Sequence, residues 1–389
     1  MRFSHPDGST VHLAYCTNVH PAETLDGVIA QLGAHCEPVR RRLDAERLGV
    51  GLWLARDAVH ALTTDAGATG RLRAELDRRG LEVVTLNGFP YQCFGAEEVK
   101  YRVYRPDWSD PQRLEHTTDL ARLLAALLPD DVTEGTISTL PLAWRTGYDE
   151  VSAHRAHSAL NELAGRLDDL YEATGRQIRV ALEPEPGCVV ESTADALAPL
   201  AALPAHRIGL CLDTCHLATG FEEPVGALAA LDRAGVTVFK AQLSAALHAA
   251  DPGDPAVRAA LAAFDEPRFL HQTRARVDGT LHGTDDLGEA LTEDALPDTV
   301  PWRAHFHVPL HAPPAPPLTS TLDVLRDTLT VLLGGPHPRT RHLEVETYTW
   351  QALPADSRPT TDAALADGIA AELRLAAGLL ADLGLKEQQ

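Results

Sequence analysis

Lysine is nearly absent from this chain: Lys100, Lys240 and Lys386 are the only three among 34 basic residues, which face 55 acidic ones. The resulting charge of −21 lacks the basic excess that phosphate binding needs, and so argues against a nucleic-acid partner. The acidity fits solubility, or carboxylates gathered around a cation. No apolar run reaches the ~18 residues of a membrane helix, and Met1–Gly8 has no apolar core of the kind a signal peptide carries. A cytoplasmic location is expected on both grounds. Six cysteines (16, 36, 93, 188, 211 and 215) form no disulfide-type framework and are expected to be reduced, buried thiols. Cys211 and Cys215 could reach a zinc ion, but no second C-x-x-C or His pair at finger spacing accompanies them, so packing is the expected role. Also missing is a G-x-G-x-x-G or G-x-x-x-x-G-K turn after the early strands, which weakens a doubly wound nucleotide-binding sheet.

What the chain does have is alternation. Buried-strand runs occur at Val11–His20, Val50–Ala55, Leu81–Pro90, Thr136–Leu142, Gln177–Gly187, Arg207–Asp213, Val236–Leu243 and His342–Thr347. Amphipathic helical patterns separate them, for example Leu120, Leu123, Leu124 and Leu127 behind the cap Asp110-Pro111. About eight such strand–helix repeats in 389 residues predict a closed (β/α)8 barrel, an α/β fold of ~250 residues plus insertions. The expected organisation is a single TIM-barrel domain over 1–389, with 245–318 an elaboration of the seventh β/α unit. Within that insertion, Phe269–Val277, the turn Asp278-Gly279 and Thr280–His282 read as a β-hairpin, and Ala304–Leu310 as another strand.

Several strands end in polar residues: Glu183 and Glu185, Asp213 and His216, Lys240 and Gln242, Glu344 and Glu346. In a barrel these converge on one mouth, because residues i and i+2 of a strand face the same side. So many carboxylates repel one another unless protonated, paired or bound to metal. An oxygen-rich set with imidazoles suits one divalent ion such as Mn, Mg, Co or Zn. Further candidates for substrate contact are His20 and Asn87 at strand ends, Lys100, Arg102 and Arg105 on a long loop, and His271, His305 and His307 in the insertion. Lys240 could move a proton or form a structural ion pair, and the alternation of His305 and His307 would set both on one face.

The stretches Leu182-Glu183-Pro184, Leu210–His216 and Leu343–Thr347 resemble the xylose isomerase-like TIM-barrel superfamily, which includes sugar isomerases and epimerases, hydroxypyruvate isomerase and endonuclease IV. The resemblance implies a metal held by Glu183, Asp213, Gln242 and Glu346, with Glu344 the alternative to Glu346. Lys240-Ala241-Gln242-Leu243 is similar to the strand-seven H-V-Q-I of hydroxypyruvate isomerases, with Lys240 replacing the His. Longer motifs, Tyr15–Pro21, Val103–Trp108, Ile137–Pro141, His305–Leu310 and Glu344–Trp350, resemble EboE. That family is described as a metabolite traffic protein encoded beside a membrane prenyltransferase-like protein and other Ebo proteins. The expected function is a metal-dependent isomerase or epimerase acting on a small polyhydroxylated or hydroxycarbonyl metabolite, in which Glu183 and Glu346 move the proton. The alternative is a barrel that binds a metabolite for traffic without catalysis. An endonuclease IV-like phosphodiesterase is opposed by the acidic charge, and by the lack of a D-x-H pair after strand seven to serve further metals.

Overall fold

The computed structural model describes residues 1–388. Eight parallel strands form the barrel: β1 Thr10–Cys16, β2 Leu48–Trp53, β3 Thr85–Asn87, β4 Glu134–Thr139, β5 Gln177–Leu182, β6 Ile208–Asp213, β7 Val238–Leu243 and β8 His342–Val345. Each pairs with the next, and β1 closes the ring by pairing with both β8 and β2. Strands buried on both faces carry near-continuous apolar runs, which is why β2, β6 and β7 stand out in the sequence. The third strand is interrupted: Leu81–Glu82 pairs with the start of β2, and the ladder resumes only at Thr85.

Local signals set the helices. Asp110 accepts from Gln112 N ahead of Pro111–Leu127, Ser192 and Asp195 form a capping box before Thr193–Ala201, and Gly175 ends Glu150–Thr174 in the left-handed region. Asp213 caps the short helix Thr214–Thr219 through its Oδ1, which fixes that side chain at the barrel mouth.

Residues 245–318 contribute most of a second, antiparallel sheet in the order Thr280–Thr284, Thr273–Val277, Trp302–Ala304, Leu247–Ala249, Thr319–Ser320. The hairpin turn is made by Asp278 and Gly279, both at positive φ (47° and 82°), the twist that two-residue hairpins favour. Phe264, Phe269, Ala275, Trp302 and Phe306 join the same contiguous apolar core as the barrel.

Two sequence expectations shift. The first strand stops at Cys16 and turns through a 3-10 segment, Thr17–Val19, instead of running to His20. The strand expected at Ala304–Leu310 ends at Ala304, because Phe306 N bonds back to Ala304 O and takes the chain off the ladder. Five of the six cysteines are buried as expected, but Cys93 is exposed. No described helix is long and apolar enough to cross a membrane.

Candidate metal centre

Glu183 just past β5, Asp213 at the end of β6 and Glu346 just past β8 meet at the mouth. One oxygen of each lies within 4.8 Å of the others, and all three residues are buried. The chain ties down part of the cluster and leaves the rest free. Glu346 Oε1 accepts from Asn18 Nδ2 (2.7 Å) and Asn87 Nδ2 (2.8 Å). Asp213 Oδ1 accepts from His216 N (2.9 Å) and Ser244 Oγ (2.8 Å). Glu183 Oε2 and Asp213 Oδ2 are buried without any partner. Gln242 sits opposite Asp213 in the sheet register, fully buried, with neither amide atom bonded. Burial, then repulsion from Glu346 and Asp213, holds Glu183 well above the usual carboxylate range. Glu346 is raised by burial, then by Asp213 and Glu344.

Beside the carboxylates stands a trio of imidazoles. His216 Nε2 is 3.0 Å from His305 Nε2, which is 3.2 Å from His307 Nε2. The Nδ1 atom of each ring faces a carbonyl-type oxygen: Pro184 O at 2.7 Å, Gln272 Oε1 at 2.8 Å and Glu346 O at 2.6 Å. Those acceptors place the proton on Nδ1 of a neutral ring, so the Nε2 lone pairs of neutral His305 and His307 point at each other and into the space beside His216 Nε2. Burial pushes His305 well down and His307 to about 4, so neither relieves the contact by charging. Glu185 Oε2 lies 3.3 Å from His216 Nε2, its Oε1 accepts from Tyr104 OH (2.9 Å), and burial pushes it up to about 7. Orphaned carboxylate oxygens and converging imidazole nitrogens are donor sets that fit divalent cations. Asp213 shares a donor cluster with each set. The sequence has no D-x-H pair after strand seven, and His305 and His307 bring two nitrogen donors to this place from the insertion instead.

Not every sequence candidate reaches this place. Lys240 and Glu344 are both fully buried and pair with each other inside the barrel, away from the cavity lining. Lys240 Nζ also donates to Ser138 Oγ (3.3 Å). Burial alone would lower the amine, but Glu344 raises it above its ordinary value, which fits a structural cation better than a proton carrier. Gly51 makes room for Glu344, since a Cβ there would stand 1.9 Å from its Oε1. His20 stacks on His35 (4.1 Å between centroids) because the 3-10 turn after β1 presents Asn18 to the mouth in its place. His271 is turned away, with Nδ1 on His305 O and Nε2 on Glu266, both at 2.9 Å, so it braces the trio from behind. Lys100 reaches the cavity rim but is paired with Asp286. Arg102 is exposed and Arg105 is paired with Asp107, and neither lines the cavity. Sequence reasoning missed Asn18, Tyr104, Ser244, Gln272 and Tyr348, although Asn18, Tyr104 and Tyr348 lie inside the motifs Tyr15–Pro21, Val103–Trp108 and Glu344–Trp350.

The cavity above the two sets is narrow, about 60 Å³ of enclosed room, and reaches about 520 Å³ only when the solvent space at its open mouth is included. Loop residues 89–104 and insertion residues Phe269 and Leu270 roof it.

Solved structures share this fold at low identity. A candidate sugar phosphate isomerase/epimerase of Anabaena variabilis is 12% identical, with a TM-score of 0.51, covering 96% of this chain and 100% of that one. A xylose isomerase domain protein of Planctomyces limnophilus is 14% identical at a TM-score of 0.51, covering 96% and 97%. A xylose isomerase-like TIM barrel protein of Mycobacterium smegmatis, solved with magnesium, is 13% identical at a TM-score of 0.51, covering 95% and 98%. No curated protein matches the sequence. The family model "Xylose isomerase-like TIM barrel" matches residues 45–267, more than half of the chain. Closed parallel barrel, strand-end carboxylates and family match agree, and the chain belongs to the xylose isomerase-like TIM barrel family.

Proposed function

We propose that this protein is a metal-dependent isomerase or epimerase that moves a proton on a small hydroxycarbonyl or polyhydroxylated metabolite. The observation that carries the reading is the buried cluster of Glu183, Asp213 and Glu346, two of whose oxygens have no partner in the chain. Unpaired buried carboxylates are costly, and a divalent cation is the simplest neutraliser of an all-oxygen set. Glu183, Asp213, Gln242 and Glu346 would hold it, and the magnesium bound in the Mycobacterium smegmatis relative is in keeping with this. A bound cation supplies positive charge that draws two adjacent substrate oxygens and stabilises the negative charge developing on them.

The chain's own groups do the rest. Asn18 and Asn87 pin Glu346 through Oε1. Glu183 and Glu346 come from strands on different sides of the ring, so one can take a proton from a substrate carbon and the other can return one. The His216, His305 and His307 trio would hold a second cation of the borderline type that favours nitrogen, such as zinc or cobalt. Asp213 would lie between the two.

A second reading, metabolite binding for traffic without turnover, draws on the motif resemblance to EboE and would use the same donors. A membrane prenyltransferase-like partner belongs to that reading. The experiment is a panel of sugars and hydroxy-keto acids in deuterated water with the metal content of each sample measured. Deuterium should enter a substrate carbon, and Glu183→Gln should abolish exchange while substrate still binds. A metal-loaded protein that exchanges none of the panel would replace catalysis with binding.

A further inference from the structure

The floor of the cavity is polar and its walls are not. Glu183, Glu185, His216, His305, His307 and Glu346 make the floor. Phe89, Phe94, Val99, Phe269, Leu270 and Tyr348 line the way in. Three of these rings form one connected patch, with centroids 5.3 Å apart for Phe94–Phe269, 5.5 Å for Phe94–Tyr348 and 4.9 Å for Phe269–Tyr348. Most polar atoms near the wall are already engaged, the exception being Tyr348 OH, whose one contact is His305 Nε2 at 3.4 Å. Tyr104 OH bonds Glu185, Lys100 is held by Asp286, Trp53 Nε1 donates to Pro90 O, and Asn87 Oδ1 accepts from Phe89 N. A free sugar bound through two oxygens on the floor would set its remaining hydroxyls against these carbon surfaces. Most of them would leave water without finding a partner. A hydrocarbon body on the same two-oxygen head would instead gain by leaving water.

We infer that the site takes an amphipathic substrate: a vicinal pair of oxygens, as hydroxycarbonyl or diol, joined directly to an apolar body that lies along Phe94, Phe269 and Tyr348. The inference rests on the metal-centre reading, since the cation is what would hold the head. It differs from that reading in excluding free sugars as the preferred ligand class.

Hydroxamates test it, because their head presents two adjacent oxygens to a metal whatever the tail. Cobalt-loaded protein, its metal content measured, is titrated with butanohydroxamate and with trihydroxybutanohydroxamate, which has the same carbons but three hydroxyls. Acetohydroxamate and octanohydroxamate extend the series. Affinity should rise about fourfold for each added methylene that reaches the wall, and butanohydroxamate should bind about a hundredfold tighter than its hydroxylated twin. Equal or tighter binding of the hydroxylated probe, or no binding of any probe by protein that holds cobalt, overturns the amphipathic assignment and leaves the metal centre standing. Protein that takes up no cobalt removes the metal centre, and this inference with it.

Discussion

Glu344 and Glu346 leave the same strand two residues apart and enter the same barrel interior, yet their surroundings are opposite. Glu344 is met by Lys240, with Gly51 opposite to give it room. Glu346 is met by two amides and by two further carboxylates, and the Lys240 charge that reaches it is already paired with Glu344. The chain neutralises the first charge itself. It gathers the second with others of the same sign and stops. A buried acid with its own counter-ion is part of the scaffold, whereas a buried set that only protons neutralise has room for a charge from outside.

The comparison breaks most sharply at Lys240. Lys240→Met leaves Glu344 buried and alone, and should cost about 3–5 kcal/mol of unfolding free energy, read by denaturant titration. Adding Glu344→Leu should restore most of it. A harmless single variant would mean the pair is not what holds Glu344.

A second expectation concerns pH. Carboxyls raised by burial keep their protons in the fold but release them at ordinary values when unfolded. The unfolded chain therefore binds fewer protons over that interval, and stability falls as pH rises through it. Glu185 and Glu372, each pushed up to about 7, place the window between the ordinary glutamate value of 4.5 and about 7. Each contributes a loss of about 3 kcal/mol once pH exceeds the folded value. These two carboxyls on their own make metal-free protein melt lower at pH 8 than at pH 5, while the buried imidazoles His305 and His307, held down by burial, act the other way up to the ordinary histidine value of 6.5. Glu372 lies away from the cavity, with Leu310 N and Thr347 Oγ1 on it, so Glu372→Gln should flatten part of the slope with or without metal. A Glu372→Gln profile with the same slope as wild type would contradict this raised carboxyl.

Smaller effects sharpen the Glu346 side. Asn18→Ala removes one of the two amides that orient Glu346, and should weaken metal binding by about tenfold with little change in melting temperature. Unchanged affinity would assign Asn18 to packing alone.

The barrel was legible in the sequence because buried parallel strands read as apolar runs, and Glu183 and Asp213 were legible because they end such runs. Depth was not legible. Lys240 and Glu344 point inward like Gln242 and Glu346, but two residues along a strand is about 6.6 Å, enough to move a side chain from mouth to interior. Asn18 was hidden by the 3-10 turn that ends β1 early, which no apolar periodicity signals. His305 and His307 do face the same point, although through a turn at Phe306 and not through strand alternation. Their meeting with His216 needs two elements separated by the whole insertion, a long-range fact that spacing cannot carry.

The central claim is that the chain gathers donors and leaves the charge to be supplied by divalent cations. Metal content of protein purified without chelator, for wild type, His305→Ala and Asp213→Ala, tests it most directly. Wild type should hold up to two ions per chain, His305→Ala should lose the one at the imidazoles, and Asp213→Ala, which removes the residue shared by both sets, should lose both. Wild type that stays empty when supplied with manganese, cobalt or zinc, or an Asp213→Ala variant with the wild-type content, would contradict it.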